Sequence, residues 1–150
     1  MKPYLFLFIL VLKCFELSAQ EISFPEISEQ KSAFELVIEG IEIEKGEIRI
    51  AIFNSRQLYQ EKENPLYAIV LPVEENRMVW SEEALPYGNY AIAVYHDINT
   101  NGELDTNILG IPKEAYGFSN NARGKFGPAS WKDAHFKISS KTHTMSIRIK

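Results

Sequence analysis

The feature that most constrains this chain is the stretch from Val94 to Trp131, VYHDINTNGELDTNILGIPKEAYGFSNNARGKFGPASW. It begins with strand-like alternation, breaks at once into Asp, Asn and Gly, and then shows little periodicity of any kind. A loop of this length inside a compact domain is either functional or folds back on its own side chains. The segments before and after it must therefore supply the sheet that carries it.

Those segments do read as sheet. In Phe34, Leu36 and Ile38 the apolar residues alternate with Glu35, Val37 and Glu39, and Gly40 closes the run. Ile48, Ile50 and Ile52 share one face of a second run and Glu47, Arg49, Ala51 and Phe53 the other, which predicts a hairpin with the first run across Lys45-Gly46. Ser55 to Pro65 is polar and reads as a loop or a short helical turn. Leu66 to Val73 and Asn76 to Trp80 read as two further strands, and Leu85 to Asn89 as a tight turn. Tyr90 to His96 is apolar on both faces, with Ala91, Ala93 and Tyr95 opposite Tyr90, Ile92 and Val94, so it reads as a central strand. Lys132 to Ile138 and Thr144 to Ile149 complete the set. Short strands separated by turn signals, without an amphipathic helix, predict an all-β fold. The expected architecture is an antiparallel β-sandwich, immunoglobulin-like or transthyretin-like, of about seven strands with one long ordered loop.

The expected organisation is a signal peptide over residues 1–20, a polar lead-in over 21–32, and a single β-sandwich domain over 33–150. Lys2 gives the positive start, Tyr4 to Leu12 the apolar stretch, and Leu17-Ser18-Ala19-Gln20 the cleavage site. The apolar stretch is too short to span a bilayer, so no membrane span is expected after cleavage. The location is then extracytoplasmic, periplasmic or secreted. Cys14 is the one cysteine and lies in that signal, which removes disulfides, thiol catalysis and Cys-zinc sites from the mature chain. Cleavage makes the net charge of −4 one unit more negative. An acidic chain without a basic stripe is a poor nucleic-acid binder.

Within the long loop, Asp97, Asn99, Asn101 and Gly102 reproduce the opening of a calcium loop, with Glu103 and Asp105 as further oxygen donors. Calcium takes about six to eight oxygen ligands, and alternate positions of a tight loop can aim several at one point. Ca2+ is thus the one cofactor the sequence offers. Ile108 stands where an EF-hand carries its bidentate Glu, and a strand precedes the loop, so an EF-hand is excluded. Asp, Asn and Gly equally build metal-free Asx-turns, so both readings stand. Downstream, Tyr116, Phe118, Asn120, Asn121 and Arg123 form a candidate surface for a ligand or partner, an envelope protein or glycan. On the plainer reading Tyr116, Phe118 and Phe126 close one end of the sandwich.

No catalytic constellation is expected. His96 adjoins Asp97, but neighbours on a strand point to opposite faces. His135 and His143 lack ligand spacing. The chain thus reads as a non-enzymatic binding or accessory module, and the alternative is an extracytoplasmic hydrolase using His96 and the loop carboxylates.

The same loop resembles a bacterial family, domain of unknown function 2141. The resemblance rests on His96-Asp97, the D-x-N-x-N-G-x-L-D-x-N run from Asp97 to Asn107, and Gly110-Ile111-Pro112-Lys113-Glu114. It continues through Tyr116 to Pro128 and Trp131 to Ala134, and the segments Gly46 to Ser55 and Leu85 to Asp97 also look like the family. It implies a small exported β-sandwich domain and implies no activity.

Overall fold

The computed structural model describes residues 28–125 and 127–150. The segment read as a signal peptide, most of the lead-in and Phe126 lie outside the described residues. Eight strands form two sheets packed face to face: β1 (Lys31–Glu39), β2 (Glu47–Phe53), β3 (Tyr67–Pro72), β4 (Arg77–Pro86), β5 (Gly88–Asp97), β6 (Tyr116–Phe118), β7 (Phe136–Ile138) and β8 (Thr142–Arg148). The first sheet has the order β4-β1-β8, and the second β3-β2-β5-β6 with β7 also on β5. All pairs are antiparallel except β1 with β8. The sandwich expectation holds, with one more strand than expected and one parallel pair.

The alternation fixes the inner faces. Phe34, Leu36 and Ile38 from β1, Ile48, Ile50 and Ile52 from β2, and Tyr90, Ile92 and Val94 from β5 meet with Ile138 and Ile147 in one core. β5 is the central strand expected: it pairs with β2 along one edge, and with β7 and β6 in succession along the other.

Three expectations are corrected. β1 and β2 are not a hairpin, because β1 pairs with β4 and β8 while β2 pairs with β3 and β5. Each strand has one apolar face and both faces turn to the same interior, so they belong to opposite sheets. The connection from Gly40 crosses between sheets, burying Ile41 on its way. Next, the tight turn after Leu85 is a corner at which β4 ends at Pro86 and β5 starts at Gly88, passing from one sheet to the other. Finally, residues 132–138 are not one strand. A helical turn, α2 (Trp131–Ala134), precedes the short β7, because the Ser130 hydroxyl caps it by accepting from the Asp133 amide.

The predicted helical turn is present as α1 (Arg56–Glu61). Ser55 caps it by accepting from the Leu58 amide, and Lys62 ends it in a left-handed conformation. Both helical turns sit on the outer face of the second sheet, over a second apolar cluster of Phe53, Tyr59, Ala91, Phe118, Ala129 and Ala134. Among the described residues no helix is long and apolar enough to cross a membrane.

Leu36 is fully enclosed at the centre of the first sheet. Leu36→Ala is expected to cost about 2–5 kcal/mol of stability, read by urea unfolding, through lost transfer energy and the cavity left behind. A loss under about 0.5 kcal/mol would contradict this core.

Candidate functional site

β5 delivers Asp97 to the point where sheet becomes loop. Its carboxylate is 0% exposed, and a buried charge needs partners. Arg49 Nε donates to Oδ2 at 2.7 Å, the Gly102 amide donates to the same oxygen at 2.8 Å, and the Asn101 amide donates to Oδ1 at 3.1 Å. Arg49 also holds Glu47 at 2.9 Å. Burial pushes the Asp97 carboxyl up, but the Gly102 amide, the Arg49 guanidinium and the Asn101 amide together hold it below the usual carboxylate range. Gly46 lies against this corner with φ +80°, and a Cβ there would run into the Asp97 carbonyl and the Ile98 backbone.

The other candidate metal ligands bond among themselves. Asn99 Oδ1 accepts from the Asn101 amide at 3.1 Å, and Asn101 Oδ1 accepts from the Glu103 amide at 2.8 Å. Their Nδ2 groups donate to the two oxygens of Asp105, at 2.7 and 3.2 Å. So Asn99, Asn101 and Asp105 do converge, but as a closed hydrogen-bonded set, and Asp97 faces a guanidinium. Turning the two amides to offer oxygens would break both Asx bonds. Glu103 is exposed and contributes its backbone amide to the loop. Among the described residues no group of three or more His, Cys, Asp or Glu side chains is placed to hold a metal ion. The donors as arranged fit a self-bonded Asx loop better than a calcium shell.

Glu114 is the residue that sequence reasoning undervalued. It is buried, and its two oxygens accept from the Ile98 amide and the Asp105 amide, both at 2.9 Å, so one carboxylate staples the two limbs of the loop. Its place in the G-I-P-K-E run gave no sign of this, since the partners are backbone amides.

His96 and Asp97 are both buried but have separate partners. His96 Nε2 lies 2.6 Å from the Lys45 carbonyl; a carbonyl only accepts, so this nitrogen carries the proton. His143 stacks on Phe34 and Phe136, and His135 on Trp131.

The candidate partner surface divides. Asn120 Nδ2 donates to the Asp133 and His135 carbonyls. Asn121 exchanges bonds with the backbone of Ser146 and Arg148. Arg123 donates to the Tyr116 and Arg148 carbonyls and lies 5.4 Å from the Tyr116 ring centre. Asn121 and Arg123 thus clamp the chain to β8, and Asn120 clamps it to the C-terminal end of α2. Ser119 is fully buried, accepting from the Ile92 amide at 2.9 Å and donating to the Ala134 carbonyl. Tyr116 and Phe118 instead help to form a wall.

That wall belongs to a groove of about 410 Å3 on the outer face of the second sheet. Ala51, Ala68 and Ala93 form its floor, Tyr95, Tyr116 and Phe118 stand along one side, and Val70 and Leu104 bound it further. Its cations are Arg49 and Lys62. Two of its three tyrosine hydroxyls are already donated, Tyr95 to the Gly102 carbonyl and Tyr59 to the Ala129 carbonyl, both at 2.8 Å. Sequence reasoning missed this groove. The signal was available: a solvent-facing row of alanines on adjacent strands, where polar residues are the norm.

Because the Asp97 pKa is lowered on folding from an ordinary 3.8, its contribution to stability is present above that value and lost as pH falls through the folded pKa. Asp97→Asn is expected to be less stable than wild type at pH 7. The two stability curves should converge below about pH 4. Urea unfolding across that range checks it, and parallel curves would be the contrary result.

The chain matches a family model described as an uncharacterized protein conserved in bacteria, domain of unknown function 2141, over residues 36–146. No curated protein and no solved structure matches it. The matched span runs from within β1 to within β8 and so includes the Asp97 loop, the Ser119–Arg123 clamp and the groove: the chain belongs to the domain of unknown function 2141 family.

Proposed function

We propose that this chain is an exported, non-enzymatic binding module whose binding surface is the groove over Ala51, Ala68 and Ala93. The groove carries the reading. Solvent-facing positions of a sheet ordinarily hold polar or β-branched residues, and alanine is a poor strand former. Placing alanines side by side gives up local stability and leaves a depression walled by aromatic rings. Its volume falls within the range of small-molecule and peptide side-chain sites, roughly 300–1,000 Å3.

The lining decides the chemistry of the occupant. A glycan needs several free hydrogen-bonding groups, and two of the three tyrosine hydroxyls along the groove, those of Tyr95 and Tyr59, are already donated to backbone carbonyls. An apolar segment of an envelope protein, or another apolar group, suits the surface better. The export half of the reading rests on the signal-like residues 1–20. The non-enzymatic half is supported by the separate commitments of His96 and Asp97. The loop positions Leu104 at the groove's edge through its own hydrogen bonds, with calcium as a separate test: a calcium-induced rise in Tm, abolished by Asp105→Ala, would restore the metal reading.

Ala93→Trp fills the groove from its floor. An environment-sensitive apolar dye is expected to bind the wild-type protein and to bind Ala93→Trp at least about tenfold more weakly, the effect of excluding one apolar group. The variant's Tm should remain close to wild type, since the added ring enters open space. Equal dye binding by the two proteins would overturn the groove as the binding surface.

A further inference from the structure

The tip of the long loop carries Ile108, Leu109 and Ile111 at 102%, 77% and 56% exposure. Single exposed aliphatics are ordinary, but three within four residues of a protruding turn are not. The turn is also locked. Asn107 Oδ1 accepts from the Leu109 and Ile111 amides at 2.9 and 3.0 Å, the Asn107 amide donates to the Ile111 carbonyl at 2.8 Å, and Thr106 bridges Pro112. Gly110, with φ +74°, closes it in the left-handed region. A polar tip would close the same turn equally well. The result is a preorganised apolar prong, held out from the body of the domain, and preorganisation lowers the entropy cost of docking.

We infer that the prong at Ile108, Leu109 and Ile111 docks into the apolar groove of a second copy of this chain, and the second copy's prong into the first. This rests on the reading of the groove as a binding surface and names its partner. Three observations favour a second copy over other occupants. The chain itself presents both halves of the match, a convex aliphatic tip and a concave apolar groove. The charges agree: Lys62 lines the groove and stands in no ion pair among the described residues, Arg49 being already held by Glu47 and Asp97, while the loop bearing the prong presents the exposed Glu103 and the half-buried Asp105 against Lys113. The prong and the groove edge share one loop, since Leu104 lines the groove, so a two-fold axis can seat both prongs at once. Three aliphatic side chains per copy place the contact in the small, transient class of interfaces. A lipid surface is the weaker match. A few aliphatic groups without a basic cluster give only marginal membrane binding.

Cysteine pairing tests the geometry directly. Cys14 is the only cysteine, so Cys14→Ser gives a cysteine-free background for the full chain. In that background Leu109→Cys, mixed with Val70→Cys under mild oxidation, is expected to give a disulfide-linked heterodimer. Leu109→Cys mixed with Val79→Cys, on the other sheet and 42% exposed, should not. Sedimentation velocity should show a concentration-dependent dimer, and Leu109→Asp should raise its Kd at least roughly tenfold, as loss of one buried aliphatic group per contact does. A wild-type chain that stays monomeric at its highest soluble concentration overturns the inference, as does equal cross-linking at positions 70 and 79. So does a monomer whose binding to phosphatidylcholine vesicles is lost in Leu109→Asp, which would assign the prong to a lipid surface. A monomer that still binds the apolar dye in an Ala93-dependent way separates the outcomes: the groove stands and self-docking falls.

Discussion

The buried carboxylate of Asp97 is the contact on which the loop end of this domain depends. A charge without solvent must be met by donors, and here they come from three places: the Arg49 guanidinium on β2, and the Asn101 and Gly102 amides of the loop. One residue thereby ties the last turn of the central strand to its neighbour and shapes the loop that follows. Arg49 is drawn to this end of the groove, where Glu47 and Asp97 both hold it. The geometry of the groove edge, Leu104 included, follows from that anchoring.

The other end of the outer face is held by different means. Tyr59 from α1 meets Phe53, Phe118 and Trp131 edge-on, at ring-centre distances of 5.6, 6.5 and 5.8 Å. Its hydroxyl is donated to Ala129, and burial, with Asp133 adding to it, pushes its pKa up to about 12. Between this aromatic cluster and the polar loop the alanines of β2, β3 and β5 remain uncovered. The groove is what is left when a sheet is capped at both ends and filled at neither middle strand.

The candidate surface of the Tyr116–Arg123 segment illustrates how composition misleads about direction. Aromatics alternating with amides and an arginine look like recognition chemistry. Yet Asn120, Asn121 and Arg123 spend their polar atoms on backbone carbonyls and an amide of α2, its C-terminal cap and β8, because short strands and a 3-10 turn leave many backbone groups unpaired. Gly117 is needed beside them, since a Cβ would meet Ile147 Cγ2 at 2.8 Å. Only Tyr116 and Phe118 of that set face the groove.

The sequence by itself determined most of the strands, their buried faces and the polar character of the loop, but not the short β6, the reach of β4 to Pro86 or the helical turn before β7. Ile48, Ile50 and Ile52, like Tyr90, Ile92 and Val94, announce their inner face by period-two alternation, a local property that any neighbouring strand satisfies equally. For the same reason it could not say that β1 joins β4 and β8 rather than β2, which is a choice between partners far apart in the chain. The Asp97–Asp105 loop was legible as Asx chemistry, but whether its oxygens faced an ion or one another depended on Arg49, forty-eight residues away. The groove and the prong were decided by tertiary structure alone. A row of alanines becomes a depression, and Ile108, Leu109 and Ile111 become a projection, only when the sheet places some side chains against the body of the domain and leaves these in water.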